Sequence, residues 1–273
     1  MARPPNEPDE IEEFLRRAER EFGRRPDLPD EPPPPPRPSP PPPPRPVVTY
    51  SMLWAIGIVY GLSCVLSGSF FQPAFSVLAG LGAKVNERIA NGEVWRLLTA
   101  VFLHANLIHI FFNGYALSVL GPETERFYGH GRFLALYLLS GLGGSLASYA
   151  LSPAPAVGAS GAIFGLIGGL GIFYYLNRQA LGEFGRNQVR GIAAIAFINL
   201  LIGFAAQGVI DNWGHLGGLV SGVLIGMALS PRLTIDPRFF PPLLIRRFPA
   251  QGWLWTIAIA LVMVALVRLV TPA

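Results

Sequence analysis

Apolar residues along this chain form seven long runs, separated by segments that carry nearly all of the charges. Crossing the hydrocarbon core of a bilayer takes roughly 20 helical residues, and the runs are close to that length. The pattern predicts seven membrane-spanning helices, at about 50–70, 106–121, 131–151, 160–176, 190–207, 213–230 and 252–270. The predicted fold class is therefore an all-α polytopic membrane protein.

The segment between the first two predicted spans, residues 71–105, is rich in apolar residues but too charged to cross a membrane. Its charged residues include Lys84, Glu87, Arg88, Glu93 and Arg96. We expect a structured loop that lies partly in the membrane interface.

The first 47 residues differ from the rest of the chain. Nearly every residue from Pro32 to Pro46 is proline, which favours an extended spacer and cannot form a packed core. Ahead of it, apolar residues recur at helical spacing, namely Ile11, Phe14, Leu15, Ala18 and Phe22. An amphipathic helix that touches a membrane or a partner would explain this spacing, but we favour a solvated helix within a disordered tail.

Composition supports a membrane protein and argues against other classes. Only 14% of the residues are charged, against about 25% in soluble domains. The formal net charge of +4 comes from arginines spread over loops, so it indicates topology and predicts no nucleic acid partner. Cys64 is the only cysteine, which excludes a disulfide framework and a cysteine metal site. The polar start of the chain lacks the apolar segment typical of a cleavable signal peptide.

Basic residues near the ends of the spans predict the orientation of the chain. With a cytoplasmic N-terminus, eleven arginines lie on the inside and four basic residues on the outside. Twenty arginines against one lysine indicate a GC-rich genome. We therefore expect a bacterial plasma membrane, with an organellar membrane as the alternative.

Three predicted spans begin with polar residues, which are costly at membrane depth and mark functional sites. These residues are His104, His109 and Asn113; Gly158-Ala159-Ser160-Gly161; and Asp211, Asn212 and His215. All three spans enter from the outer face in the predicted topology. We expect their polar groups to lie in one layer.

Glycines recur at every fourth residue in two of these spans. They are Gly161, Gly165 and Gly169 in the fourth span, and Gly214, Gly218, Gly222 and Gly226 in the sixth. Such spacing lines one helix face and lets two backbones approach closely in lipid. If the two faces meet, Ser160 is held near His215; the alternative is that the glycines serve only general helix packing.

A serine and a histidine within hydrogen-bond reach form a nucleophile and a general base. We expect Ser160 to attack a peptide carbonyl while His215 takes its proton. His109 and Asn113 are four residues apart and share a helix face, so both can serve as oxyanion donors. The backbone amide of Ser160, at a helix N-terminus, is a further candidate donor.

Two neighbouring polar residues are considered separately. Asp211 precedes His215 by four residues but lies at the loop edge, so we expect a Ser–His dyad and no third acid. His104 does not share a helix face with His109. Either it takes part in catalysis directly or it forms a hydrogen bond that organises the loop.

The chain resembles the rhomboid family of intramembrane serine proteases over roughly residues 50–230. The matching motifs, in chain order, are Gly92-Glu93-Val94-Trp95-Arg96; His104, His109 and Asn113; Gly121, Glu125 and Gly129; Gly158-Ala159-Ser160-Gly161; and His215-Leu216-Gly217-Gly218 with Gly222. Each motif alone is weak, whereas their joint order is specific.

The resemblance implies a six-helix core whose active site opens to the extracytoplasmic side, with the span at 252–270 as an added seventh helix. It implies a serine endopeptidase that cleaves in or near transmembrane segments of protein substrates in the lipid bilayer, with no cofactor and no metal. It implies that Ser160 and His215 form the catalytic dyad and that His109 and Asn113 stabilise the oxyanion. It further implies that Trp95 and Arg96 brace the first loop and that Phe164 packs on the histidine ring. The corresponding domains are a tail at 1–47, a protease core at 48–231, and a cytoplasmic loop with the seventh helix at 232–273.

Two other classes compete with an enzyme. A transporter, or a protein that binds haem or a metal, could employ the side chains of His104, His109 and His215 in binding. Such a protein would have no role for Ser160. A catalytically inactive relative that binds client membrane proteins is the second rival. The presence of both Ser160 and His215 argues against it.

Overall fold

A computed structural model describes residues 8–23, 45–206, 210–236 and 243–271 of the chain. The predicted proline-rich spacer falls largely on residues 24–44, outside the described residues. The chain divides into two compact units, Met1–Pro42 and Pro43–Ala273.

In the first unit, one helix, α1, spans Pro8–Phe22. It coincides with the apolar residues at helical spacing. Glu12 and Arg16 form an ion pair at 3.1 Å, one turn apart, and Phe14 and Leu15 are exposed. The helix has an apolar and a charged face, as the sequence predicted.

The second unit is almost entirely helical. Its helices are α2 Val47–Ser67, α3 Phe75–Leu81, α4 Asn86–Ala90, α5 Arg96–Thr99, α6 Leu107–Tyr128, α7 His130–Leu151, α8 Ser160–Leu176, α9 Gly182–Ala205, α10 Asn212–Leu229 and α11 Gly252–Val270. A 3₁₀ turn at Ala100–Phe102 follows α5. Between α10 and α11, strands β1 Arg232–Asp236 and β2 Leu243–Arg247 pair antiparallel, with Arg232 opposite Arg247.

All seven predicted spans correspond to helices, which confirms the all-α membrane fold. By length and hydropathy, α2, α7, α9 and α11 can each cross a membrane. The segments Arg96–Phe102 and Leu107–Tyr128 pass the same test as a pair bent by 90°. The 17-residue α8 is shorter.

Two boundaries were predicted wrongly and one element was missed. Helix α6 continues to Tyr128 instead of ending near 121, although Pro122 lies inside it. Helix α9 begins at Gly182 and not near 190, and the β1–β2 pair was not predicted. The apolar pattern stops where polar residues begin, whereas helical hydrogen bonding continues beyond the hydrocarbon.

The buried carboxylate of Glu125 explains the extension of α6. It accepts hydrogen bonds from the Val48 and Thr49 amides, at 2.9 and 2.7 Å, and from the Thr49 hydroxyl at 2.7 Å. These amides belong to the first turn of α2, where backbone donors have no partner within the helix. Glu125 thereby fastens the start of α2 to the end of α6.

Helix α8 forms the centre of the core. It is apolar on every side, which is typical of a helix surrounded by protein. Ala162, Leu166 and Phe173 on α8 are fully buried. The outer helices α2, α9 and α11 instead expose large apolar side chains such as Trp54, Phe197 and Leu261, as expected for surfaces that face lipid.

Candidate active site

The predicted polar groups lie at or near the starts of three helices, α6, α8 and α10. Asn106 caps α6, and its side chain accepts a hydrogen bond from the His109 amide at 2.8 Å. Asp211 caps α10 in the same way, through the Gly214 amide at 3.0 Å. Ser160 is the first residue of α8. Capping satisfies N-terminal amides and fixes where each helix begins.

The glycine faces of α8 and α10 meet, as predicted. A Cβ atom at Gly218 would lie less than 3 Å from the Gly161 backbone, and one at Gly222 less than 3 Å from the Gly165 backbone. Gly161 follows Ser160 and lies against the carbonyl of Gly214, which precedes His215. The backbones that carry Ser160 and His215 are therefore in direct contact.

The His215 ring stacks on Phe164, one turn after Ser160. The ring centroids are 4.3 Å apart and the planes differ by 16°. Phe164 is buried. Within the described part of the chain, no hydrogen bond joins Ser160 to His215, and the buried His215 Nδ1 has no hydrogen-bond partner.

His109 packs beside the turn that precedes Ser160. Gly158 has a φ of +130°, and a Cβ there would lie 2.6 Å from Cε1 of His109. Only glycine satisfies both the backbone conformation and this close approach. The Gly158 amide donates to the Ala100 carbonyl at 2.9 Å, so the turn is fixed on its other side.

Asn113 lies one turn below His109 on α6 and is buried. Its Nδ2 donates to the His109 carbonyl at 2.9 Å. An amide nitrogen has two donors, so this bond orients the side chain and leaves one N–H for another acceptor.

His104 precedes α6, yet its ring contacts that of His109. The centroids are 5.1 Å apart in an edge-to-face arrangement. His104 is fully buried, and neither ring nitrogen bonds to a described residue. A hydrogen bond that organises the loop, one of the two alternatives for His104, is not formed with the described residues, and the ring packs against that of His109.

Comparison with known proteins identifies the family of the chain. Residues 91–232 match the model of the rhomboid domain, which is more than half of the chain. The chain belongs to the rhomboid family. It is 43% identical to the rhomboid protease GluP of Bacillus subtilis over 187 residues, 68% of this chain and 35% of GluP. It is 33% identical to RHOMBOID-like protein 5 of Arabidopsis thaliana over 176 residues, 62% of this chain and 56% of the relative.

A third relative is covered more completely. Rhomboid-like protease 3 of Toxoplasma gondii is 33% identical over 214 residues, 70% of this chain and 80% of that protein. The chain spans about one third to one half of the length of the first two relatives.

In this rhomboid, Arg96 lies at the centre of the loop that connects α2 to α6. It is almost completely buried. Its guanidinium donates to the carbonyls of Ala79 and Ala83 at 2.6 and 3.1 Å, and to the Glu93 carboxylate at 2.8 Å. Trp95 packs against Gly82, whose φ is +115°. These contacts hold neighbouring parts of the loop together, and the role of Trp95 and Arg96 as a brace stays a prediction.

The sequence analysis did not predict that α7 helps to form the site. Gly144 on α7 lies against the Gly214 carbonyl and Gly161, so three glycine-containing helices meet beside Ser160. The run Gly141-Leu142-Gly143-Gly144 was the available signal.

A cavity of about 30 Å³ opens next to Ser160, which is room for one or two waters. Its lining residues are Ala100, Gly141, Gly144, Ser145, Ala156, Val157, Gly158, Ser160, Gly161, Asp211 and Gly214. His215 is not among them, but Gly214, the residue before it, is.

Proposed function

We propose that this chain is an intramembrane serine endopeptidase in which Ser160 is the nucleophile and His215 the general base. The observation that supports it best is the contact of α8 with α10. That contact sets the two residues on touching backbones, with the base ring stacked on Phe164.

The reaction follows from these groups. The neutral His215 imidazole accepts the Ser160 hydroxyl proton as the oxygen attacks a peptide carbonyl, and then delivers it to the leaving amine. Loss of the amine leaves the carbonyl half of the substrate bound to Ser160 as an ester. Water, deprotonated by the same imidazole, attacks this ester and releases the new carboxylic acid, and Ser160 recovers its proton from the imidazole. Catalytic hydrogen bonds are often long before substrate binds and tighten in the complex, so the missing Ser160–His215 bond is compatible with this reaction.

The oxyanion donors are the His109 ring, the free N–H of Asn113 and the Ser160 backbone amide. His109 lies against Gly158 in the same turn as Ser160. The Ser160 amide, at a helix N-terminus, donates to no described residue. Donors fixed before reaction stabilise the developing charge without reorganisation.

The substrates we propose are transmembrane segments of membrane proteins, cleaved near the extracytoplasmic boundary. The positive-inside distribution supports a cytoplasmic N-terminus and a site that faces outside. The ratio of twenty arginines to one lysine indicates a GC-rich genome, which supports a bacterial plasma membrane.

A serine-reactive fluorophosphonate tests the proposal together with cleavage of a panel of transmembrane peptides. We expect the purified chain to be labelled and to cleave at least one peptide, and Ser160→Ala to do neither. Cleavage by purified Ser160→Ala would contradict the assignment.

A further inference from the structure

The loop between α3 and α4 holds a buried cation, Lys84, the only lysine of the chain. Its side chain is fully buried. Nζ donates to the carbonyls of Ser152 and Ala154, at 2.9 and 2.7 Å. Both belong to the linker 152–158, which joins α7 to α8 and ends two residues before Ser160.

The Lys84 backbone holds the same linker. Its amide donates to the Ala156 carbonyl, and the Ala156 amide donates to the Lys84 carbonyl, both at 3.0 Å. The two residues form an isolated antiparallel bridge. Lys84 thus fixes three alternate residues of a segment that belongs to no helix or strand.

The residue that caps the helix of His215 also acts electrostatically on this cation. Burial lowers the pKa of Lys84 to about 8, while the Asp211 carboxylate acts in the opposite direction. Asp211 caps α10, the helix that carries His215, and lines the same cavity as Ala156 and Ser160. A buried ammonium is costly unless hydrogen bonds compensate it, so a methionine of similar volume would serve packing alone at lower cost.

We propose that Lys84 is a positioning residue for Ser160, because its ammonium and backbone fix the linker 152–158 that leads into the nucleophile. This inference rests on the proposed function. A displacement of about 1 Å at a reacting group costs about 10²-fold in rate, and four hydrogen bonds to one short linker control such a displacement.

The test compares Lys84→Met with Arg88→Met. Arg88 is a nearby cation on α4, and its guanidinium donates to the Ala79 carbonyl instead of to the linker. Active sites are titrated with the fluorophosphonate, and kcat and KM for a transmembrane peptide are measured per titrated site. We expect Lys84→Met to lower kcat by about 10- to 100-fold with little change in KM, and Arg88→Met to behave like wild type.

If Lys84 has only a structural role, the result is different. Fewer sites would be titrated, but kcat per titrated site would stay within about twofold of wild type, and that outcome overturns the proposal. Lys84→Arg, which retains donors and charge, is expected to recover part of the lost kcat.

Ala156→Pro provides a second variant if Lys84→Met fails to fold. It removes one bond of the bridge without burying or removing a charge, and we expect a lower kcat per titrated site. An unchanged kcat overturns the proposal. Wild-type protein that neither reacts nor cleaves would instead refute the proposed function itself.

Discussion

At the scale of single residues, each polar group near Ser160 is held by one or two specific contacts. Phe164 holds the His215 ring, Gly158 admits the His109 ring, and the His109 carbonyl orients Asn113. Such groups are costly in an apolar interior, so their placement is expected to matter for reaction more than for folding.

Replacing Ser160 or His215 by alanine is expected to remove proteolysis and leave the fold intact. Each residue is useless without the other, so the losses do not add. We expect at least about a 10³-fold loss for either variant and no further loss in the double variant. Cleavage rates and thermal unfolding of all three proteins are the measurements; additive losses would argue against a dyad.

Asn113→Ala is expected to lower kcat by about 10²- to 10³-fold, because one oxyanion donor is lost while others remain. Asn199→Ala is the matched control: Asn199 on α9 donates to the carbonyl four residues earlier at 2.8 Å, as Asn113 does, but it is exposed. Peptide cleavage by both variants is compared with wild type. Equal rates for Asn113→Ala and the control would make Asn113 a structural residue.

The burial of Lys84 predicts a pH dependence of stability. Its pKa is about 8 in the folded chain against 10.5 when solvated, so the unfolded chain binds more protons between these values. The free energy of unfolding should therefore rise as pH increases from about 8 to 10.5, by up to about 3 kcal/mol. Unfolding midpoints of wild type and Lys84→Met across this pH range isolate the contribution of Lys84 to stability. Parallel curves for the two proteins would refute the predicted pH dependence.

At the scale of elements, the site depends on how closely helices approach. The glycines of α8, α10 and α7 have no side chains where these helices pack together near Ser160 and His215. In lipid, the hydrophobic effect does not favour the association of helices. Close packing of small residues therefore becomes the main attraction between them.

Gly218→Val tests that packing. A β-branched side chain would collide with the Gly161 backbone, and overpacking costs about 1–3 kcal/mol. We expect both the unfolding temperature and the cleavage rate to fall. Gly191→Val on α9 is the control, since nothing lies within 4 Å of a Cβ there; equal behaviour of the two variants would disprove the close contact.

At the scale of the whole molecule, the described residues form two compact units, and all of the proposed catalytic residues lie in the second. In that unit, Glu125 fastens the first turn of α2 to α6, so the helical bundle has its own anchor where α2 begins.

Deleting residues 1–46 is expected to leave catalysis within about threefold of wild type. A proline-rich, charged segment has too little apolar surface to pack into the core, and Glu125 still binds the start of α2. Purified full-length and truncated proteins are compared on one transmembrane peptide in detergent. A tenfold lower rate at unchanged thermal stability would show that the tail contributes to the active conformation.

The sequence alone determined where the seven long apolar helices lie and which polar residues are candidates for the site. Apolar runs of membrane length can only be helices, because lipid offers no partner for backbone groups. A histidine or serine within an apolar run stands out because the free-energy cost of placing a polar group in lipid must be offset. The glycine spacing indicated that α8 and α10 could meet, but it left general helix packing open as the alternative.

Only the tertiary structure decided what surrounds those residues. Lys84 looks like an ordinary loop charge in the sequence, and it is buried because the linker 152–158, some seventy residues away, brings carbonyls to its ammonium. Likewise, Gly144 meets Gly161 and Gly214 only after α7 packs beside α8 and α10. Periodicity reports which face of a helix is apolar, but contacts between distant segments depend on the path of the whole chain.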